Sequence, residues 1–302
     1  MGHDHAHGAG VKHRGRLALV LGLTLSVLVL QVVVAIWTGS IALLADAGHL
    51  LSDSFGLVLA LGAIAIAQRP GSERTTFGLH RTEILAAGAN GLILVGICVA
   101  ITIGAVSRLG DAPEIDGWPV LLTGLVGLAV NVVGLFLLRA GAQESLNVRG
   151  AYLEVLGDAL GSIAVIVSAT IIVFTDWYLA DPIASLVIAA LVLPRALSLL
   201  RDAGEVLLES SPRDVDLDDL RSHIETVDGV VAAHDLHVWT ITSGMPVMSV
   251  HVVVDESVES IGDVHDVLDR LRGCLAEHFD VEHSTFQIEP VGHAETESHS
   301  HN

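Results

Sequence analysis

Residues 42–67 read ALLADAGHLLSDSFGLVLALGAIAIA. The stretch is long enough to cross a bilayer, whose hydrocarbon core needs roughly 20 apolar residues at about 1.5 Å of helical rise each. Yet it holds Asp46, His49 and Asp53. On insertion scales an aspartate at the bilayer centre costs about 2.5–3.5 kcal/mol, so an ionisable group kept there is a functional candidate by default. The segment therefore reads as a membrane helix carrying a polar site. His49 and Asp53 are four residues apart, a spacing that a helix stacks on one face with Cβ atoms about 6 Å apart.

Five further segments have the same length and character, at about 17–38, 83–106, 118–138, 151–174 and 180–200. Breakers separate them, such as Thr38-Gly39-Ser40, Arg69-Pro70-Gly71-Ser72 and Asp111-Ala112-Pro113. A chain that is 51% apolar and 17% charged fits this class and not a soluble protein of 302 residues. The first run follows Lys12, Arg14 and Arg16, as a signal peptide would, but it is long enough to span and no small-residue cleavage site follows, so it reads as a retained span. Lys and Arg collect in alternate loops: the N-terminal cations, Arg69, Arg74 and Arg81, then Arg139, Arg149 and Arg201. The other loops hold Arg108, Asp111, Glu114, Asp116, Asp176 and Asp181, with Trp37, Trp118 and Trp177 beside them. The positive-inside bias then puts both termini in the cytoplasm of a multi-pass plasma (inner) membrane protein.

The net charge of −20 is unevenly spread, since from residue 203 onward 21 acidic residues face 4 arginines, a local balance of −17. This marks a second domain. The reading divides the chain into a His-bearing tail at 1–16, a six-span transmembrane domain at 17–202, a cytoplasmic domain at 203–290 and a second His-bearing tail at 291–302. Within the third part, a helix at 214–227, strands at 233–242 and 246–254 around Ser243-Gly244, a helix at 263–279 and a strand at 284–288 give the order αββαβ. The expected fold is an all-α six-helix transmembrane domain followed by a small α+β, ferredoxin-like domain with its helices on one face of a three-stranded sheet. Cys98 and Cys274 form no close pair, so both read as packing residues and neither a disulfide framework nor a thiolate metal site is supported.

The fifth span carries a second pair at the same spacing, Glu154 and Asp158, while His49 is the only one of 16 histidines in a span. Two such pairs on facing helices can close a four-ligand N/O shell of the kind that binds Zn²⁺ at about 2.0–2.2 Å. Gly48, Gly56, Gly157 and Gly161 would let the helices approach closely. One neutral imidazole and three carboxylates carry a formal −3, which a dication reduces to −1, so an ion-free site takes up protons. The bland alternative is interhelical hydrogen bonding or pairing with an arginine, and no Lys or Arg is expected at comparable depth. Asp46, nearer the helix start, reads as a cap or an entrance residue, and Asn90 and Asn131 as packing hydrogen bonds. A secondary transporter explains a protonatable metal site at mid-membrane. A passive channel needs no tight four-ligand site, and an intramembrane metalloenzyme is disfavoured because HExxH is absent and no Ser or Cys nucleophile sits beside a base.

Three runs, LLADAGHLLSD (43–53), NVRGAYLEVLGDALGS (147–162) and HDLHVWTITSGMP (234–246), resemble the cation diffusion facilitator family in its zinc-transporting branch. The similarity covers about residues 14–290. It implies a homodimer that exports Zn²⁺, and often Cd²⁺ or Co²⁺, in exchange for protons, with no enzymatic activity, no nucleic-acid partner and no cofactor apart from zinc as substrate and regulatory ligand. The family's transport site falls on His49, Asp53, Glu154 and Asp158. The helix-five motif of the zinc branch is usually HxxxD, and here it is ExxxD. A harder, more negative shell favours Mn²⁺ relative to Zn²⁺. Zinc remains the first choice, with Mn²⁺, Cd²⁺ or Co²⁺, or a non-transporting metal protein, as alternatives. The resemblance also implies a metallochaperone-like cytoplasmic domain whose metal positions match His234, Asp235 and His251, with His265 and Glu289 beside them. The tails MGHDHAH and HAETESHSHN can collect zinc loosely or serve as plain polar ends.

Overall fold

The computed structural model describes residues 6–139, 146–278 and 283–293, and of 6–18, 146–147 and 277–278 the backbone course alone. Six helices, α1 (Ala6–Thr38), α2 (Ile41–Ala67), α3 (Arg81–Ser107), α4 (Gly117–Leu138), α5 (Leu146–Thr175) and α6 (Ala180–Leu207), are long and apolar enough to cross a membrane. Three run five or more residues past their expected ends. No proline interrupts α1 between Ala6 and the apolar run, and α6 continues through Pro194 until the Ser210-Ser211-Pro212 breaker comes near. α5 starts five residues before the expected 151. The His-bearing ends lie mostly outside the residues whose side chains are described.

The chain forms two compact units, Met1–Leu61 with Ala89–Leu200, and Gly62–Gly88 with Arg201–Asn302. In the first, buried residues from all six helices meet in one core, among them Ala35, Leu43, Cys98, Val120, Val165 and Ile188. Cys98 is therefore a packing residue, and it and Cys274 are free thiols.

Asp181, fully buried at the start of α6, anchors the start of α2. It accepts hydrogen bonds from Ser40 Oγ at 2.5 Å, Ile41 N at 2.7 Å and Ala42 N at 3.3 Å. The first N–H groups of a helix have no intrahelical acceptor, and a carboxylate there satisfies them and faces the positive end of the helix dipole. A residue of α6 thus sets the position of the helix that bears His49 and Asp53.

Close helix approach holds for three of the four expected glycines. A Cβ on Gly161 would collide with Asp46 Oδ1 across α5 and α2, one on Gly48 would lie 2.9 Å from Ile97 of α3, and one on Gly56 would lie 2.5 Å from Asn90 of α3. Gly157 faces open space.

The second unit includes α7 (Leu217–Glu225), β1 (Val230–Thr242), β2 (Met245–Val254), α8 (Ile261–His278) and β3 (His283–Pro290), the expected αββαβ order. β1 and β2 form an antiparallel hairpin, and β3 joins the other edge of β2 in parallel after the α8 crossover. Leu220 and Ile224 of α7 and Val267, Leu271 and Leu275 of α8 pack on Met248, Val250 and Val252 of β2, so both helices cover one face. Period-two alternation sends the intervening His251 to the other face. The same unit takes in the adjoining ends of α2 and α3, where Arg81 meets Glu209 at 2.7 Å and Thr242 Oγ1 donates to Glu83 at 2.7 Å.

A candidate metal site between membrane helices

On α2 the four-residue spacing of His49 and Asp53 points both side chains at α5, where Asp158 faces them. His49 Nε2 lies 3.4 Å from Asp158 Oδ1 and 3.8 Å from Asp53 Oδ2. One ligand atom from each of the three lies within 4.8 Å of the others. A tetrahedral ion with ligands at about 2.0–2.1 Å would set them roughly 3.3 Å apart. The triad is thus close to the size of one coordination face. His49 and Asp158 are buried and Asp53 nearly so, with side-chain exposures of 8%, 7% and 20%. Asp53 Oδ2 and Asp158 Oδ1 accept no hydrogen bond. Buried carboxylate oxygens are ordinarily paired. These two face an imidazole nitrogen and accept no hydrogen bond, with a guanidinium 3.5 Å from Asp53 Oδ2, an arrangement that could hold a cation.

Glu154 is not in this group. Its Oε1 accepts from Arg195 Nη2 of α6 at 2.5 Å, with its side chain 49% exposed. The same guanidinium places Nη1 3.5 Å from Asp53 Oδ2. This corrects the expectation that no Lys or Arg lies at the depth of the ligands. Glu154 sits one helical turn from Asp158 on the more open side, where a charged partner from α6 is within reach. Arg195 was legible in LVLPRALSLL by the same rule that exposed the acids, that an ion inside a span needs a reason. What hid it was the apolar run on either side.

Asp46 also lies apart from the triad. Its Oδ2 accepts from Gln31 Nε2 of α1 at 2.6 Å and from Ser162 Oγ of α5 at 3.4 Å, and Ser162 in turn accepts from Asn131 of α4 at 3.3 Å. Four helices thus share one buried polar network. Asp46 is neither a helix cap nor part of the ligand group, and Asn131 and Asn90, the latter bonded to Ser52 at 3.2 Å, make interhelical hydrogen bonds.

A second group lies on the sheet face away from α7 and α8. His234 of β1 and His251 of β2 are register partners with ring centroids 5.0 Å apart. Glu289 of β3, 2% exposed, reaches both: Oε2 is 3.1 Å from His234 Nε2 and Oε1 is 2.9 Å from His251 Nδ1. Asp235 adds a carboxylate 3.5 Å from His234 Nδ1 and 4.0 Å from His251 Nδ1. A bulge builds this corner. Asp235 adopts φ 47° where the register shifts between His234 and His237, so His234 points out while Leu236 and Val238 still point into the core. Two imidazoles and a buried carboxylate can hold a divalent ion. His265 is not brought here. It stands exposed on α8, 3.5 Å from Asp269, because the helix covers the opposite face of the sheet.

Comparison with known proteins agrees with both halves of this architecture. A family profile described as the cation efflux transmembrane domain matches residues 17–208, and one described as the cytoplasmic domain of cation efflux proteins matches residues 212–291. The chain is 42% identical to the metal cation efflux system protein CzcD of Cupriavidus metallidurans over 99% of its length and 93% of that protein. It is 37% identical to the cadmium, cobalt and zinc/H⁺-K⁺ antiporter of Bacillus subtilis, over 100% of this chain and 94% of that one. The zinc transporter ZitB of Escherichia coli is 37% identical over 96% of this chain and 93% of its own. Six apolar spans, an acid-imidazole cluster among them and similarity along nearly the whole length leave one assignment: the chain belongs to the cation efflux family, whose members are membrane transporters and not enzymes.

Proposed function

We propose that this protein exports a divalent cation, zinc foremost, from the cytoplasm across the plasma membrane in exchange for protons, using His49, Asp53 and Asp158 as the core of the transport site. The observation that carries this reading is the triad itself, with three ligand atoms within 4.8 Å of one another on two apolar helices. The imidazole favours zinc over magnesium or calcium, which prefer all-oxygen shells. The zinc, cadmium and cobalt named for the relatives support the same ion class. Glu154 lies beside this core as a third acidic residue, and the carboxylate in place of an imidazole on α5 keeps Mn²⁺ among the alternatives beside Cd²⁺ and Co²⁺.

Clustered carboxylates in a low-dielectric setting cannot all stay charged without a cation, so dication and protons compete for the same oxygens. Cytoplasmic zinc displaces protons while the site faces inward, and protons from outside displace zinc after the helices rock. The distribution of Lys and Arg over the loops supports cytoplasmic termini. The family supports a homodimer, in which the group of His234, His251 and Glu289, flanked by Asp235, would bind regulatory zinc.

Proteoliposomes with an imposed proton gradient test the proposal. Zinc moves uphill into an acidic lumen with the wild-type protein, and Asp53→Ala or Asp158→Ala abolishes the movement. Zinc flux indifferent to the gradient, or unaffected by both substitutions, would overturn it.

A further inference from the structure

Arg195 is an arginine inside a membrane helix, held by two acids from two other helices. Nη2 bonds Glu154 of α5 and Nη1 faces Asp53 of α2, so one planar fork joins α6 to both ligand-bearing helices. The Asp53 atom it faces is Oδ2, the same oxygen that faces His49 Nε2 in the triad. A dication bound to the triad and the guanidinium therefore draw on one oxygen. Neither can be fully satisfied while the other is.

The charges fit an exchange of this kind. Asp53, Glu154 and Asp158 carry −3 with His49 neutral, and Arg195 brings the group to −2, which a dication neutralises and a monovalent ion does not. The two ends of the fork are also held unequally. Glu154 Oε1 is at 2.5 Å and Asp53 Oδ2 at 3.5 Å, so displacement at Asp53 leaves the stronger, charge-assisted bond to Glu154 intact. Arg195 and Glu154 are 43% and 49% exposed at the open side of a triad that is otherwise buried. Pro194 precedes Arg195, and a proline inside a helix removes one backbone hydrogen bond from that turn.

We infer that Arg195 is a tethered counter-cation that competes with the transported dication for Asp53, and that Glu154 serves as its anchor. The inference rests on the triad being the transport site. Arg195 sets the affinity of the site low enough for release and limits it to ions that outcompete a single positive charge. It is a specificity-determining residue and not a ligand.

Zinc titration calorimetry on the full-length protein in detergent tests this, with site binding defined as the part that Asp158→Asn removes. Arg195→Gln takes away the competitor and tightens that binding on the order of tenfold, as expected for removing one nearby charge in a setting of intermediate dielectric. Arg195→Lys keeps the charge but replaces the rigid planar fork with a compact ammonium that does not match the two-carboxylate geometry. It binds zinc with an affinity between Arg195→Gln and wild type, and serves alone if the glutamine variant does not fold. Affinity equal to or below wild type in whichever folded variants are obtained overturns the inference, since a merely structural arginine would give that result. If Asp158→Asn removes no binding, the triad is not the site, and the inference falls with it for a reason the titration itself identifies.

Discussion

Single residues carry the chemistry, and they were unequally legible. His49, Asp53 and Asp158 stood out because an ionisable group in lipid is costly and a helix shows i, i+4 pairs on one face. Arg195 and Asp181 act through partners on other helices, 41 and 140 residues away for Glu154 and Ile41, and no periodicity relates such positions. Asp181 shows what this costs a reading from sequence, because it fixes the start of the ligand-bearing helix without being a ligand. Asp181→Ala strands the Ser40, Ile41 and Ala42 donors in a buried place, a loss of about 2 kcal/mol for a capping carboxylate with unsatisfied N–H groups. The variant should melt several degrees below wild type in detergent, with Asp181→Asn in between. An unchanged melting temperature would contradict the capping role.

At the scale of elements, the six spans were legible from length and hydropathy alone, and the αββαβ order from a change of period after residue 203. Helix ends were less so, because α6 passes its apolar stretch as an ordinary soluble helix until the serine-proline breaker. The bulge at Asp235 was not legible at all, for a one-residue register shift leaves the pattern of residue types nearly unchanged. α8 begins with a reciprocal cap. Asp263 N donates to Ser260 Oγ at 3.2 Å, while Ser260 N and Oγ donate to Asp263 Oδ2 at 2.8 and 2.7 Å. The Ser260 hydroxyl, with backbone N–H groups of Ser260 and Glu259, holds the Asp263 carboxyl below its ordinary value of 3.8. A depressed value stabilises the fold above the unfolded pKa, and that contribution disappears as pH falls through the folded one. Hydrogen exchange should therefore show the first turn of α8 less protected in Asp263→Asn than in wild type at pH 7, and equally protected well below pH 3.8. A difference that persists in acid would point away from the ionised cap.

At the scale of the whole molecule, the uneven charge is divided by task. A nearly balanced membrane portion encloses a few acids at the site, and the portion from residue 203, at −17, surrounds a second imidazole-carboxylate group. The two groups differ in what lies beside their carboxylates. The membrane triad faces a tethered arginine, while Glu289 lies between two histidines whose ring nitrogens are 2.9 and 3.1 Å away. The composition marked a boundary near residue 203, and the fold grouped Gly62–Gly88 with Arg201–Asn302 and showed which of the expected ligands meet. The central claim is that a transported dication is held by His49, Asp53 and Asp158 within the membrane. Anomalous diffraction at the zinc edge from crystals of the full-length protein grown with zinc measures this directly. A peak about 2.0–2.2 Å from His49 Nε2, Asp53 Oδ2 and Asp158 Oδ1 is the predicted result. Zinc found at His234, His251 and Glu289 with none between α2 and α5 would contradict the account.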